Sequence, residues 1–233
     1  MELANTTDKG KLIDPPAVDP ASSKPQKKMV LLVALFLGAL LPAGILYLLQ
    51  MFKQTIDTRA ELESLTRLPI IGEIPSTNSD DALRTLRTNL LLNLKQNQKT
   101  ILVTSATPAA GKTFLAQHLA ATLTAIGKKA LYINADLRNP SVSSVTMSKS
   151  SHPADILASA DFAQQLKAAQ ASNDYVILDS PALGEYTDAY QLASFADATL
   201  YIVHSGKTPK SAIESLTKAP QLPNVMFALN TTK

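Results

Sequence analysis

Short apolar runs rich in Val, Ile, Leu and Ala stand at 100–105, 130–135, 174–179, 198–204 and 224–229. They do not alternate with polar residues, which is the pattern of strands covered on both faces. The stretches 112–126, 153–170, 187–196 and 209–219 lie around and between them and read as helices. Strand–helix alternation of this kind predicts an α/β fold, a parallel sheet with helices on both faces. Roughly 160 residues are enough to bury such a core. Upstream, Leu83, Leu86, Leu90 and Leu94 recur at helical spacing and give one more helix a core-facing stripe. Asn78 or Ser79 is placed to cap it, and Asp80 and Asp81 suit its positive end.

A different pattern precedes these elements. Between Lys28 and Lys53 lie 24 uncharged residues, Met29 to Phe52, with Gln50 the only strongly polar one. As a helix they would extend about 36 Å, enough to cross a hydrocarbon core of roughly 30 Å with some tilt. No face of such a helix is polar enough for water. The preceding segment is too long and too rich in proline for the start of a signal peptide. Residues 29–52 are therefore expected to be a transmembrane helix and 53–78 a juxtamembrane linker punctuated by Pro69 and Pro75. The α/β domain is expected at 79–233.

Candidate chemistry begins at Ala106-Thr107-Pro108-Ala109-Ala110-Gly111-Lys112-Thr113, between a strand and a helix. A loop entering a helix N-terminus points free N–H groups at a ligand, and the helix dipole favours anions there. Lys112 can reach terminal phosphates, and the Thr113 hydroxyl can hold Mg²⁺. The plain alternative is an ordinary strand-to-helix turn with a Gly-Lys pair, and the flanking elements favour a phosphate-binding loop over it. Asp136 follows the strand 130–135, and Asp179 ends the strand 174–179. Ligands gather beyond the carboxyl ends of parallel strands, so both acids should lie near the loop. Asp179 then has the place of the aspartate that positions Mg²⁺ in such sites. ATP and Mg²⁺ are the expected ligands.

Composition narrows the choice. There is no cysteine, which excludes disulfides and thiolate metal sites, and His118, His152 and His204 have no ligand-like spacing. A net charge of +3 mixed with acids gives no footprint for nucleic acid. Lysines and arginines flank the apolar span on both sides, so charge does not orient it. ATP does: the phosphate loop follows the span, which puts the α/β domain in the cytoplasm. Residues 1–28, with four prolines from Asp14 to Pro25, become an extended segment on the outer face of a membrane crossed once.

The chain resembles the bacterial protein-tyrosine kinases (BY-kinases) of capsule and exopolysaccharide export. Those proteins have a loop of the form S-x-x-P-x-x-G-K-S/T, matched by Ser105 to Thr113. An apolar strand runs into D-x-D-x-R-x-P, matched by Asn134 to Pro140, and another runs into D-x-P-P, matched by Asp179-Ser180-Pro181-Ala182. Leu68 to Pro75 is similar to the segment ahead of their kinase fold. Asp81 to Asn89 is similar to their activating E-x-x-R-x-x-R-T-N helix. The resemblance covers about residues 12–230.

It implies a P-loop NTPase-like tyrosine kinase domain regulating polysaccharide polymerisation and export. Lys112, Asp136, Asp179 and position 134 would be catalytic. Thr107, Pro108, Ala109, Ala110, Gly111, Lys112, Thr113, Phe114 and Arg138 would contact nucleotide, with Thr113, Asp136 and Asp179 on the metal. Asp81, Arg84 and Arg87 would dock a neighbouring copy; without the resemblance they read as a solvated charged face.

There are departures. The first carboxylate of D-x-D is Asn134, the segment between Asp136 and Asp179 is shorter than usual, and Ala106 replaces the loop's first glycine. Asp81 stands for glutamate. No tyrosine-rich tail follows the last strand, so a tyrosine-bearing substrate is expected in trans. The six tyrosines (47, 132, 175, 186, 190 and 201) are scattered and suit core or interface. The periplasmic domain and first membrane helix of such kinases are absent from the sequence, as in a fragment or a stripped-down form. Two other functions compete with an active kinase: a catalytically weak nucleotide-binding regulator, and a membrane-tethered partitioning-type ATPase. The latter class usually carries an extra early loop lysine, where this chain has Ala106 and Thr107.

Overall fold

In the computed structural model the described residues are 27–51, 54–75, 79–137, 152–184, 187–218 and 221–231. The chain divides into two compact units, one ending at Lys53 and the other running from Gln54 to Lys233.

The first unit contributes α1 (Lys27–Met51), a 25-residue helix with Pro42 inside it. Its described large apolar side chains are exposed, Leu35 by 71% and Phe36 by 72%. Among the described residues no helix is long and apolar enough to cross a membrane. The described side chains of α1 run unbroken only from Lys27 to Pro42. The expected outer segment 1–28 lies outside the described residues apart from Lys27 and Lys28.

The second unit starts with α2 (Arg59–Leu65), β1 (Ile70–Ile74), α3 (Ser79–Asn93), β2 (Thr100–Ser105), α4 (Lys112–Thr124) and β3 (Ala130–Asn134). After the segment outside the described residues come α5 (Pro153–Leu157), α6 (Ala160–Ser172), β4 (Tyr175–Asp179), α7 (Asp188–Ala193), β5 (Ala198–His204), α8 (Lys210–Lys218) and β6 (Val225–Asn230). The strands form a single six-stranded sheet in the order β1-β6-β5-β2-β4-β3, with every pairing parallel.

Each strand faces a separate apolar cluster on either side. Ile101 and Val103 of β2 join Leu86, Leu115 and Leu119 of α3 and α4. Leu102, one residue out of phase, joins Leu166, Leu192 and Ile213 of α6, α7 and α8. This is the period of two that sends successive strand residues to opposite faces. β2, β5 and β6 are buried along their whole lengths, which explains their unbroken hydrophobicity.

Two local readings change. Residues 54–75 were expected as a linker, yet they hold α2 and β1, and β1 extends the sheet beside β6. Ile56 and Leu62 are fully buried, and the Ile56 N–H donates to the Thr208 carbonyl at 2.9 Å. Asn89 Nδ2 donates to the Ile71 carbonyl at 2.8 Å, fastening α3 to β1. Gly72 lets α3 pack close, since a Cβ on it would meet Leu86 Cδ1 at 2.7 Å and that side chain would have to shift. The helix expected at 153–170 is two helices. Ser159 starts the second, its Oγ accepting from the Phe162 N–H at 3.1 Å, as an N-cap does. Among the described residues the connection between β3 and β4 contains these two helices and no strand.

Candidate functional site

The site grows from the end of β2. Gly111, the N-cap of α4, has φ 88° and ψ 16°, a left-handed conformation that glycine adopts without penalty. No backbone N–H from Thr107 to Gly111 donates to another backbone group among the described residues. Ala109 also has positive φ, 53°, local strain of the kind that collects at ligand sites. The loop is braced from a distant strand: Asn230 Nδ2, at the end of β6, donates to the Ala110 carbonyl at 3.0 Å. A Cβ on Gly111 would meet the same Nδ2 at 2.6 Å. Gly111→Ala is therefore expected to cost about 1–3 kcal/mol, visible as a lower melting temperature, and to weaken nucleotide binding. An unchanged melting curve would remove this account of the loop.

Lys112 is the first residue of α4 and is buried. Its Nζ donates to Ser105 Oγ at 3.2 Å, and Ser105 Oγ donates to the Thr107 carbonyl at 2.6 Å. The ammonium thus lies folded across the mouth of the loop. Phe114 is 44% exposed, and its ring lies 4.0 Å from the His118 ring, centroid to centroid. Thr107 Oγ1 is buried without a partner.

The acids arrive from the neighbouring strands. Asp179 pairs in register with Val103 on one side and Asn134 on the other, so all three lie at one level of the sheet. Asp179 is fully buried. Its Oδ2 accepts from the Tyr132 hydroxyl at 3.1 Å, whereas Oδ1 has no hydrogen-bond partner. Burial pushes this carboxyl above the ordinary value. The Thr113 and Tyr132 hydroxyls and the Lys112 ammonium pull it back, and Asp136 pushes it further up. Thr113 is thus close enough to favour the charged form although no geometrically complete bond reaches Oδ1. Asn134 is 2% exposed, and its Oδ1 accepts from the Asp136 N–H at 2.9 Å, holding the turn that carries Asp136.

Loop, lysine, threonine and both acids therefore meet at the carboxyl ends of adjacent strands. Among the described residues no group of three or more His, Cys, Asp or Glu is suited to a metal. A Mg²⁺ held mainly by phosphate oxygens, with one hydroxyl and one or two carboxylates, needs no such group. The unpartnered Oδ1 of Asp179 and the open loop N–H groups fit that arrangement. Arg138 lies outside the described residues.

The other expected cluster does not form one free face. Asp81 and Arg84 are exposed on α3, but Arg87 Nη1 donates to the Thr122 carbonyl of α4 at 3.0 Å. Two participants were missed from the sequence. Asn230 reads as the end of a core strand, and Tyr132 as core filling. The available signal for Tyr132 was its position two residues before Asn134, on the same face of the strand.

The chain is 31% identical over 172 residues to tyrosine-protein kinase YwqD of Bacillus subtilis, covering 58% of this chain and 73% of YwqD. It belongs to the bacterial tyrosine-protein kinase family. Over 73% of this chain it is 25% identical to the succinoglycan biosynthesis transport protein ExoP of Rhizobium meliloti, of which it spans 26%. It spans about a third of other curated relatives, 36% and 37% of their lengths. The kinase domain of Escherichia coli tyrosine kinase ETK has the same fold, with a TM-score of 0.63 at 20% identity over 76% of this chain and 93% of that domain. No family model matches the chain. The loop, Asp136 and Asp179 stand together at one end of the sheet, and position 134 carries an amide.

Proposed function

We propose that this chain is an ATP-dependent protein-tyrosine kinase acting in polysaccharide export. The observation that carries the reading is Asp179, fully buried with Oδ1 unpartnered, beside Lys112 and Thr113 at the mouth of the loop. Bound MgATP would supply the γ-phosphoryl group. The loop N–H groups and Lys112 would bind and align the phosphates, a positioning and electrostatic contribution. Thr113 and Asp179 would hold the metal, and Asp136 would help hold it or orient the acceptor hydroxyl. The names of YwqD and ExoP support the tyrosine substrate and the polysaccharide setting.

The membrane anchor belongs to the same proposal. It is carried by the uncharged run Met29 to Phe52 in the sequence, which would anchor the chain with the nucleotide unit on the cytoplasmic face of the inner membrane. Self-association through α3 would use Asp81 and Arg84, the exposed members of the family helix, with Arg87 fixing that helix to α4.

A second reading has its own observation. Asn134 replaces a family carboxylate, and its Oδ1 is spent on the Asp136 N–H, so the chain would bind nucleotide and regulate with little transfer. The deciding experiment incubates the full-length chain with MgATP and a tyrosine-rich peptide and measures phosphotyrosine. Labelling of the peptide supports the kinase. Nucleotide binding without labelling replaces it with the regulator.

A further inference from the structure

Tyr132 lies on β3, the outermost strand next to β4, on the side covered by α4. Its ring packs with the α3–α4 cluster, which accounts for an apolar residue there but not for a hydroxyl. That hydroxyl reaches across to β4 and donates to Asp179 Oδ2 at 3.1 Å, and Gln117 of α4 also contacts it. The result is an asymmetric carboxylate: one oxygen held from the β3 side, the other buried with no partner. A carboxylate that must present one oxygen to a cation gains from having its rotation fixed through the other. The outer partners of metal-binding groups act in this way, and their loss typically costs about 10–100-fold in metal affinity.

We propose that Tyr132 is a positioning residue for the magnesium site, its hydroxyl locking Asp179 so that Oδ1 faces the metal or its water. The inference rests on the nucleotide-site reading above. It assigns to this chain a hydroxyl anchor two residues before Asn134, the position where the family carboxylate is missing. A buried phenol also seeks any nearby acceptor, so the test must separate anchoring from packing.

The test titrates the full-length chain with a fluorescent non-hydrolysable ATP analogue, in magnesium and in EDTA. For the parent, magnesium tightens binding. Tyr132→Phe keeps the ring and removes only the hydroxyl. It should match the parent in EDTA and lose about 10-fold of the magnesium-dependent gain. Tyr132→Leu should lose the same gain and also lower the melting temperature, because it removes packing. If Tyr132→Phe retains the full gain, or weakens binding equally with and without magnesium, the hydroxyl is not an anchor and the proposal is overturned. A parent that gains nothing from magnesium overturns the nucleotide-site reading, and this inference with it.

Discussion

Lys112→Met is expected to weaken MgATP binding about 10–100-fold while leaving the chain folded. A hydrogen bond to a charged group contributes about 1.5–3 kcal/mol, and the ammonium stands at the mouth of the loop, 3.2 Å from Ser105 Oγ. The stem of Lys112 is already buried, and Met has similar length and an apolar body, so packing at the start of α4 is preserved. Removing the ammonium also removes one of the groups that favour the charged form of Asp179. The magnesium-dependent part of binding should therefore fall as well. Titration with a labelled nucleotide, alongside a circular dichroism melt, measures both effects. Equal affinity in mutant and parent would remove the phosphate-loop assignment.

Asn134→Asp is expected to raise phosphoryl transfer to a tyrosine-rich peptide, by at most about 10²–10⁴-fold, the range for a positioned base. The two side chains are nearly isosteric, and a carboxylate oxygen can keep the bond now accepted from the Asp136 N–H. The structure adds a cost. Position 134 is 2% exposed and in register with the fully buried Asp179, so without metal the variant places two buried carboxylates side by side. An uncompensated charge there destabilises by about 2 kcal/mol or more.

The sign follows from proton binding. Burial and the neighbouring carboxylate raise the folded-state pKa above the unfolded value, so in that window the folded chain binds more protons than the unfolded one. Stability then falls as pH rises through the carboxylate range and returns on acidification. Magnesium with nucleotide should offset the loss at neutral pH. Melting curves with and without MgATP at several pH values test this, and peptide labelling tests the rate. Parent activity equal to the variant's would show that the amide is harmless. Labelling by neither protein would favour the regulator.

Much of the fold was legible because its signals are local. The strands 100–105, 130–134, 175–179, 198–204 and 225–230 follow the apolar runs, since a strand covered on both faces must be apolar throughout. The loop between β2 and α4, and an acid at or beyond the end of β3 and β4, follow from strand–helix alternation together with the rule that parallel strands present their carboxyl ends to ligands. β1 was not legible. Ile70-Ile71-Gly72-Glu73-Ile74 is short, holds a charge, sits between prolines, and finds its partner only in β6 at the far end of the chain.

What the sequence by itself determined was the strands β2 to β6, with a loop after β2 and acids at or beyond the ends of β3 and β4. What only the tertiary structure decided was which of those residues share a partner. Tyr132 meets Asp179 across 47 positions, Arg87 meets Thr122 across 35, and Asn230 reaches Ala110 across 120. A period of two states which way a side chain points. It does not state what stands opposite, because strand order is set by long-range pairing between segments whose local patterns are alike.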